Sequence, residues 1–280
     1  MRIAFQLGKS TDRIIRGDVF PAKSTSQGTL IICHGFKGFK DWGMFPYAGE
    51  TLSEWLDVIT FNFSHNGVGN SLTSYDELEK FAKNTYSREL EDLHTVVDHV
   101  RKGELPVERR VPAAPLFLLG HSRGGAICQI YALDYPEHVS AVLTWNGLVE
   151  VDGILSKEMK MEMREKGKTF VKNARTKQNM PLDLEILEDI EQNKERFHIL
   201  ERVKTSRIPM ALIQGTEDSE QLVEGSAKLI ENNKCIKWIR IEGGNHTFGA
   251  VHPFQGETEP LKEAIRETQS FISEQLKEEA

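Results

Sequence analysis

Apolar positions along the chain fall into short continuous runs that alternate with segments of helical spacing. Arg2 to Leu7 and Arg13 to Phe20 read as two early strands, the second with β-branched alternation. Thr29-Leu30-Ile31-Ile32-Cys33 and Val58-Ile59-Thr60-Phe61-Asn62-Phe63 are nearly unbroken apolar runs, the pattern of strands buried on both faces. Phe45 to Leu56 lies between them and reads as a helix. Ser87 to Val100 places Leu90, Leu93, Val96, Val97 and Val100 on one helical stripe. Pro115 to Leu119 is a further buried strand, and Gly125 to Leu133 a buried helix. Val139 to Trp145, Ile208 to Gln214 and Ile236 to Ile241 complete the strands, and Glu257 to Leu276 is a terminal amphipathic helix. Strands alternating with helices predict an α/β fold whose sheet is mostly parallel and covered on both faces.

One stretch breaks the rhythm. From about Glu150 to Ser206 no strand pattern is visible, and the segment reads as several charged helices between two core strands. It is too long for an ordinary loop. The expected division is a core of residues 1–149 and 207–280 with a helical cap insertion, 150–206, over the sheet's C-terminal edge. Met159, Met161 and Met163 fall on different helix faces there and read as cap packing rather than as one pocket wall. Lys157 to Lys177 holds eight Lys or Arg against three Glu, which a solvated helical face accounts for.

Composition narrows the function classes. The chain of 280 residues is long enough for one large, well-buried domain. A net charge of −7 argues against general affinity for nucleic acid or an anionic membrane. No segment approaches the apolar length of a membrane span. Met1 to Lys9 has neither a long apolar run nor a small-residue cleavage site, so a cytoplasmic location is expected. Cys33, Cys128 and Cys235 are odd in number and widely spaced, so they read as buried free thiols rather than disulfides or metal ligands. No pattern calls for a metal or an organic cofactor, and none sets an oligomeric state.

The chemistry concentrates at Gly120-His121-Ser122-Arg123-Gly124. A serine between two glycines, after a buried strand and before a buried helix, is the pattern of a nucleophile elbow. Such a turn strains the serine backbone, and small residues nearby relieve the crowding. An acyl-transfer serine needs a base, an acid that orients it and two donors for the oxyanion. The acid is expected after a late strand, where Gly215-Thr216-Glu217-Asp218 offers Asp218 first and Glu217 as its rival. The base is expected after the last strand, where Gly243-Gly244-Asn245-His246 supplies His246, with His252 as the fallback. The oxyanion donors are the backbone N–H groups of Arg123 and of Phe36, in the loop His34-Gly35-Phe36-Lys37-Gly38. Trp145-Asn146-Gly147-Leu148 leaves a core strand at the same edge, and Trp145 is expected to line the substrate pocket.

His34 to Gly38, Asn66 to Ser71, Gly120 to Gly124, Gly215 to Asp218 and Gly244 to His246 resemble, in order, the signature segments of the α/β-hydrolase superfamily. The chain is most similar to its capped intracellular esterases, including the cinnamoyl-esterase-like group. The resemblance implies an eight-stranded sheet and a Ser122–His246–Asp218 triad. Arg123 departs from the Gln, Met or Leu frequent at that position, which puts a cation near the pocket. The expected activity is hydrolysis of a small to medium carboxylic ester, a small-molecule substrate, through an acyl-enzyme. Thioester, amide or carbon–carbon cleavage, acyl transfer and a non-catalytic ligand-binding role stay open, because fold and triad do not fix the substrate.

Overall fold

The computed structural model describes residues 1–8, 12–106 and 115–278. Strands β1 (Ile3–Leu7), β2 (Ile15–Phe20), β3 (Thr29–Cys33), β4 (Asp57–Asn62), β5 (Leu116–His121), β6 (Ala141–Trp145), β9 (Met210–Gly215) and β10 (Lys237–Ile241) form one eight-stranded sheet. Their spatial order is β1-β2-β4-β3-β5-β6-β9-β10, and β2 alone among them runs against its neighbours. Every residue of β3, β4, β5, β6 and β9 is buried, which is why these segments read as apolar runs rather than as alternation.

Helices cover both faces, and a short helix, α2 (Leu78–Ala82), follows β4. α1 (Phe45–Leu52) and α9 (Glu259–Glu278) pack on one, while α3 (Tyr86–Arg101), α4 (Arg123–Asp134) and α8 (Glu220–Asn232) pack on the other. Thr85 caps α3, its hydroxyl accepting from the Arg88 N–H at 3.2 Å. α1 is shorter than its sequence pattern predicts. Its last turn closes at Ser53, and the chain then turns back into β4.

The connection from β3 to β4 moves along the sheet in one direction and that from β5 to β6 in the other. The C-terminal end of β5 therefore lies at the topological switch point, where open α/β sheets form their ligand crevice. Ser122 follows β5 directly.

The segment between β6 and β9 differs from expectation. It contains helices α5 (Lys157–Lys166), α6 (Leu184–Gln192) and α7 (Ile199–Arg202), but also an antiparallel hairpin, β7 (Lys168–Lys172) with β8 (Asn179–Asp183). The hairpin escapes a periodicity reading for physical reasons. Its strands have five residues each, exposed Phe170 breaks the alternation, and Pro181 sits inside β8. An Asx turn closes it, with Asn173 Oδ1 accepting from the N–H groups of Arg175 and Thr176. Cys33 and Cys128 are buried free thiols, as expected. Cys235 is exposed, because it lies in the turn that leads into β10 rather than in a core run.

Candidate active site

The elbow is held by close main-chain packing. Ser122 has φ 55° and ψ −120°, a conformation that a non-glycine residue adopts only when its surroundings enforce it. Its N–H donates to the Trp145 carbonyl at 3.0 Å, and its carbonyl accepts from Gly125 at 2.9 Å and Leu148 at 2.8 Å. A Cβ at Gly120 would come within 2.2 Å of the Gly124 carbonyl oxygen, and one at Gly124 within 2.4 Å of the Cys33 carbonyl oxygen. Glycine at these two positions is therefore a requirement of contact between β3, β5 and α4.

Ser122 Oγ lies 3.1 Å from His246 Nε2. On the other side of the ring, His246 Nδ1 donates to Asp218, at 3.0 Å from Oδ1 and 3.2 Å from Oδ2. The Asp218 side chain is 2% exposed, whereas that of His246 is 42% exposed, so the base keeps contact with solvent while its partner does not. Asp218 also accepts from the Ser219 N–H at 2.7 Å and from Gln214 Nε2 at 3.0 Å. Burial works to raise the Asp218 carboxyl, but His246 and these donors outweigh it and leave Asp218 below the ordinary carboxylate range. Glu217 is exposed and makes no contact with the imidazole. His252 is engaged elsewhere: its Nδ1 accepts from the Gly43 N–H at 2.9 Å, and its ring stacks on Trp42.

Gly35 packs against Ser122, since a Cβ there would sit 2.9 Å from that of the serine. The following N–H, of Phe36, and the N–H of Arg123 at the first turn of α4 donate to no protein acceptor among the described residues. Behind them His34 is buried, with Nδ1 donating to the Gly35 carbonyl at 2.9 Å. Burial, reinforced by the nearby Arg123 charge, lowers the His34 pKa to about 4, so its ring is neutral at physiological pH.

Three findings depart from the sequence reading. Trp145 does not line a pocket: it is fully buried, with Nε1 donating to Thr268 Oγ1 of α9 at 3.0 Å and its ring edge-on to Phe248. It is the last residue of β6, and the pleat turns its indole into the α9 side of the sheet. The Arg123 guanidinium is no free pocket cation either. It is 1% exposed, pairs with buried Glu89 at 2.7 Å, donates to the Asn84 carbonyl at 2.9 Å and lies over the Tyr86 ring. Burial opposes the Arg123 charge, and Glu89 more than restores it. Asn146 and Gln214, which link the acid and base loops, carried no motif signal; a polar residue ending each apolar strand was the only trace of them.

Residues 28–163 match the family described as the alpha/beta hydrolase fold. The eight-stranded sheet with helices on both faces has the α/β-hydrolase fold. It is 24% identical over 257 residues to a monoglyceride lipase homolog of monkeypox virus, a match that spans 84% of this chain and 86% of that protein. It is 32% identical to human monoglyceride lipase over 94 residues, 34% of this chain and 27% of that one. Among solved structures, Est1E from Butyrivibrio proteoclasticus superposes with a TM-score of 0.71 at 15% identity, covering 98% of both chains. A soluble variant of Saccharomyces cerevisiae monoglyceride lipase, in complex with a substrate analog, also superposes with a TM-score of 0.71 at 15% identity, over 98% of this chain and 97% of that one. Among the described residues of this chain, no helix is long and apolar enough to cross a membrane.

Proposed function

We propose that this α/β hydrolase cleaves small to medium carboxylic esters through an acyl-enzyme on Ser122. The observation that carries the reading is the continuous hydrogen-bonded path from Ser122 Oγ through His246 to Asp218. As Oγ attacks the ester carbonyl carbon, His246 Nε2 takes its proton. Asp218 holds the Nδ1–H tautomer and stabilises the imidazolium. The carbonyl oxygen, now negative, accepts from the Phe36 and Arg123 N–H groups. His246 returns the proton to the leaving alkoxide, and water then attacks the acyl-enzyme with His246 again as base.

Monoacylglycerols are the first substrates to test, because the relative that aligns over most of the chain is named for that class. Residues 150–206 act in this reading as the cap over the sheet edge. Two contacts support it: Gln178 Nε2 of the cap hairpin donates to the Tyr75 carbonyl at 3.0 Å, and the Lys37 ammonium reaches the Lys172 carbonyl at 3.4 Å. Lys37 follows Phe36 directly, so the hairpin touches the oxyanion loop.

The test is a substrate panel run beside Ser122→Ala: nitrophenyl esters of graded chain length, monoacylglycerols, acyl-CoA thioesters and aminoacyl amides. The expected result is ester turnover that falls by roughly 10⁶ in the variant, as when a triad nucleophile is removed. Near-normal turnover by Ser122→Ala would rule the mechanism out.

A further inference from the structure

His246 and Asp218 stand on loops that follow different strands, and a single side chain spans both. Asn146 directly follows β6, is fully buried and has φ 51°, a left-handed conformation that Asn tolerates better than most residues. All four hydrogen-bonding sites of its carboxamide are occupied. Nδ2 donates to the carbonyl of Asn245 at 3.1 Å and to that of His246 itself at 3.0 Å. Oδ1 accepts from the Gly215 N–H at 2.7 Å and from Gln214 Nε2 at 2.9 Å. The same Gln214 amide nitrogen donates to Asp218 Oδ2 at 3.0 Å, and Gln214 Oε1 accepts from Ser226 Oγ of α8 at 3.0 Å. Asn146, Gln214 and Ser226 are each at most 2% exposed, so no water competes for these bonds.

We propose that Asn146 is the positioning residue that sets the register between His246 and Asp218. One face of its amide grips the main chain of the base loop. The other grips the end of β9, from which the acid loop departs, and reaches the acid itself through Gln214. The two loops also bond directly, the Glu217 N–H to the Gly244 carbonyl at 2.9 Å and the Gly243 N–H to Thr216 Oγ1 at 2.9 Å, but these bonds lie away from the reacting side chains. His121 Nε2 shares the His246 carbonyl at 2.8 Å, whereas the Asn146 amide bonds that carbonyl and, through Gln214, reaches Asp218 itself. Its role is geometric: its side-chain hydrogen bonds go to the base loop, Gly215 and Gln214 rather than to Ser122. A displacement near 1 Å in a general base costs up to roughly 100-fold in rate, because proton transfer demands alignment.

The inference rests on the esterase reading, and the experiment separates the two. Asn146→Gly keeps the left-handed backbone accessible and removes the whole clamp. Asn146→Asp keeps the Oδ1 acceptor and removes both donors to the base loop. Each full-length variant is compared with wild type in kcat and KM on a nitrophenyl ester, in the rate of Ser122 labelling by a fluorophosphonate, and in melting temperature. The expected result is a loss of about 10- to 100-fold in both kcat and labelling rate, with KM within about threefold of wild type. A purely structural role would lower the melting temperature and leave kcat within about twofold below the transition, which overturns the proposal. If neither variant folds, Gln214→Met cuts the path one bond further on. It must lower kcat in the same way, and an unchanged kcat overturns the proposal. Wild type that neither labels at Ser122 nor turns over any ester removes the esterase reading itself, and the positioning role falls with it.

Discussion

The two halves of the candidate site face each other across one crevice but are held in place by different means. The nucleophile half is fixed by main chain against main chain: Gly120, Gly124 and Gly35 bring β3, β5 and α4 to distances at which no Cβ fits. The acid–base half adds side chains to its main-chain contact: the acid and base loops meet at Gly215 and Gly244, and Asn146, Gln214 and His121 hold the reacting ends of these loops. A main-chain contact has few ways to relax, whereas a side-chain amide can be exchanged. The first design makes a rigid, strained nucleophile; the second makes an alignment that one substitution can loosen without unfolding the sheet.

The largest test of this contrast is Gly124→Ala. The added methyl would meet the Cys33 carbonyl oxygen at 2.4 Å and that of His34 at 2.6 Å, so α4 must shift away from β3. The expected cost is roughly 4 kcal/mol or more in unfolding free energy, together with loss of Ser122 labelling. Gly225→Ala in α8 is the control. Its Cβ would meet only Val149 side-chain atoms at 3.5 Å, and a helix gains about 0.5–1 kcal/mol from that exchange. Urea denaturation checks both. Equal stability of the two variants would show that the close approach at the elbow is not a constraint.

The same contrast explains what the sequence reveals. Glycines forced by backbone contact leave a fixed spacing around Ser122, and the continuous apolar runs of β3, β5, β6 and β9 follow from burial on both faces. Both can be read from one chain. The location of His246 and Asp218 follows from strand order, since each comes directly after a predicted strand. Asn146, Gln214 and Glu89 are different. Each is one polar residue with a partner that lies tens of positions away, and no local period distinguishes it from a solvated residue. Trp145 illustrates the converse error. Its place at the active edge was legible, but the side of the sheet its indole occupies depends on α9 and on Thr268, more than a hundred residues later. The β7–β8 hairpin stayed hidden for a third reason, because short strands with a half-exposed face carry little periodicity.

A smaller effect is expected from breaking the buried ion pair of the nucleophile half. Glu89 and Arg123 are both nearly inaccessible, and Asn84 Nδ2 also donates to Glu89 at 2.7 Å. Glu89→Leu leaves the guanidinium buried beneath the elbow without its counter-charge, at a cost of about 3–5 kcal/mol. Glu89→Leu combined with Arg123→Met removes both charges and is expected to recover most of that loss. Denaturation of the two single variants and the double variant measures the coupling. Simple additivity would mean that the pair does not brace α4 against α3.

The smallest effect is a pH dependence to which each half contributes one buried histidine. His121 ends β5 beside Ser122 but serves the acid–base half: burial and the neighbouring His246 lower its pKa to about 3, while its Nε2–H donates to the His246 carbonyl. In the nucleophile half, burial lowers the His34 pKa to about 4. Both rings are neutral in the folded chain and regain an ordinary affinity for protons on unfolding. The unfolded state therefore binds more protons below about pH 6.5, and stability must fall as the pH drops from there toward 4. Each histidine contributes on the order of 3 kcal/mol across that window, all of it present at neutral pH. Urea midpoints measured from pH 7.5 to 4.5 should decline in wild type, and less steeply in His34→Gln and in His121→Gln. The two variants then divide the halves by function. His121→Gln loses a donor to the base loop and should lower kcat as well as flatten the pH profile. His34→Gln acts behind the oxyanion loop and should flatten the profile with kcat less affected. Stability that stays level between pH 6.5 and 4.5, or a slope that neither variant changes, would mean that these rings are not held neutral by burial.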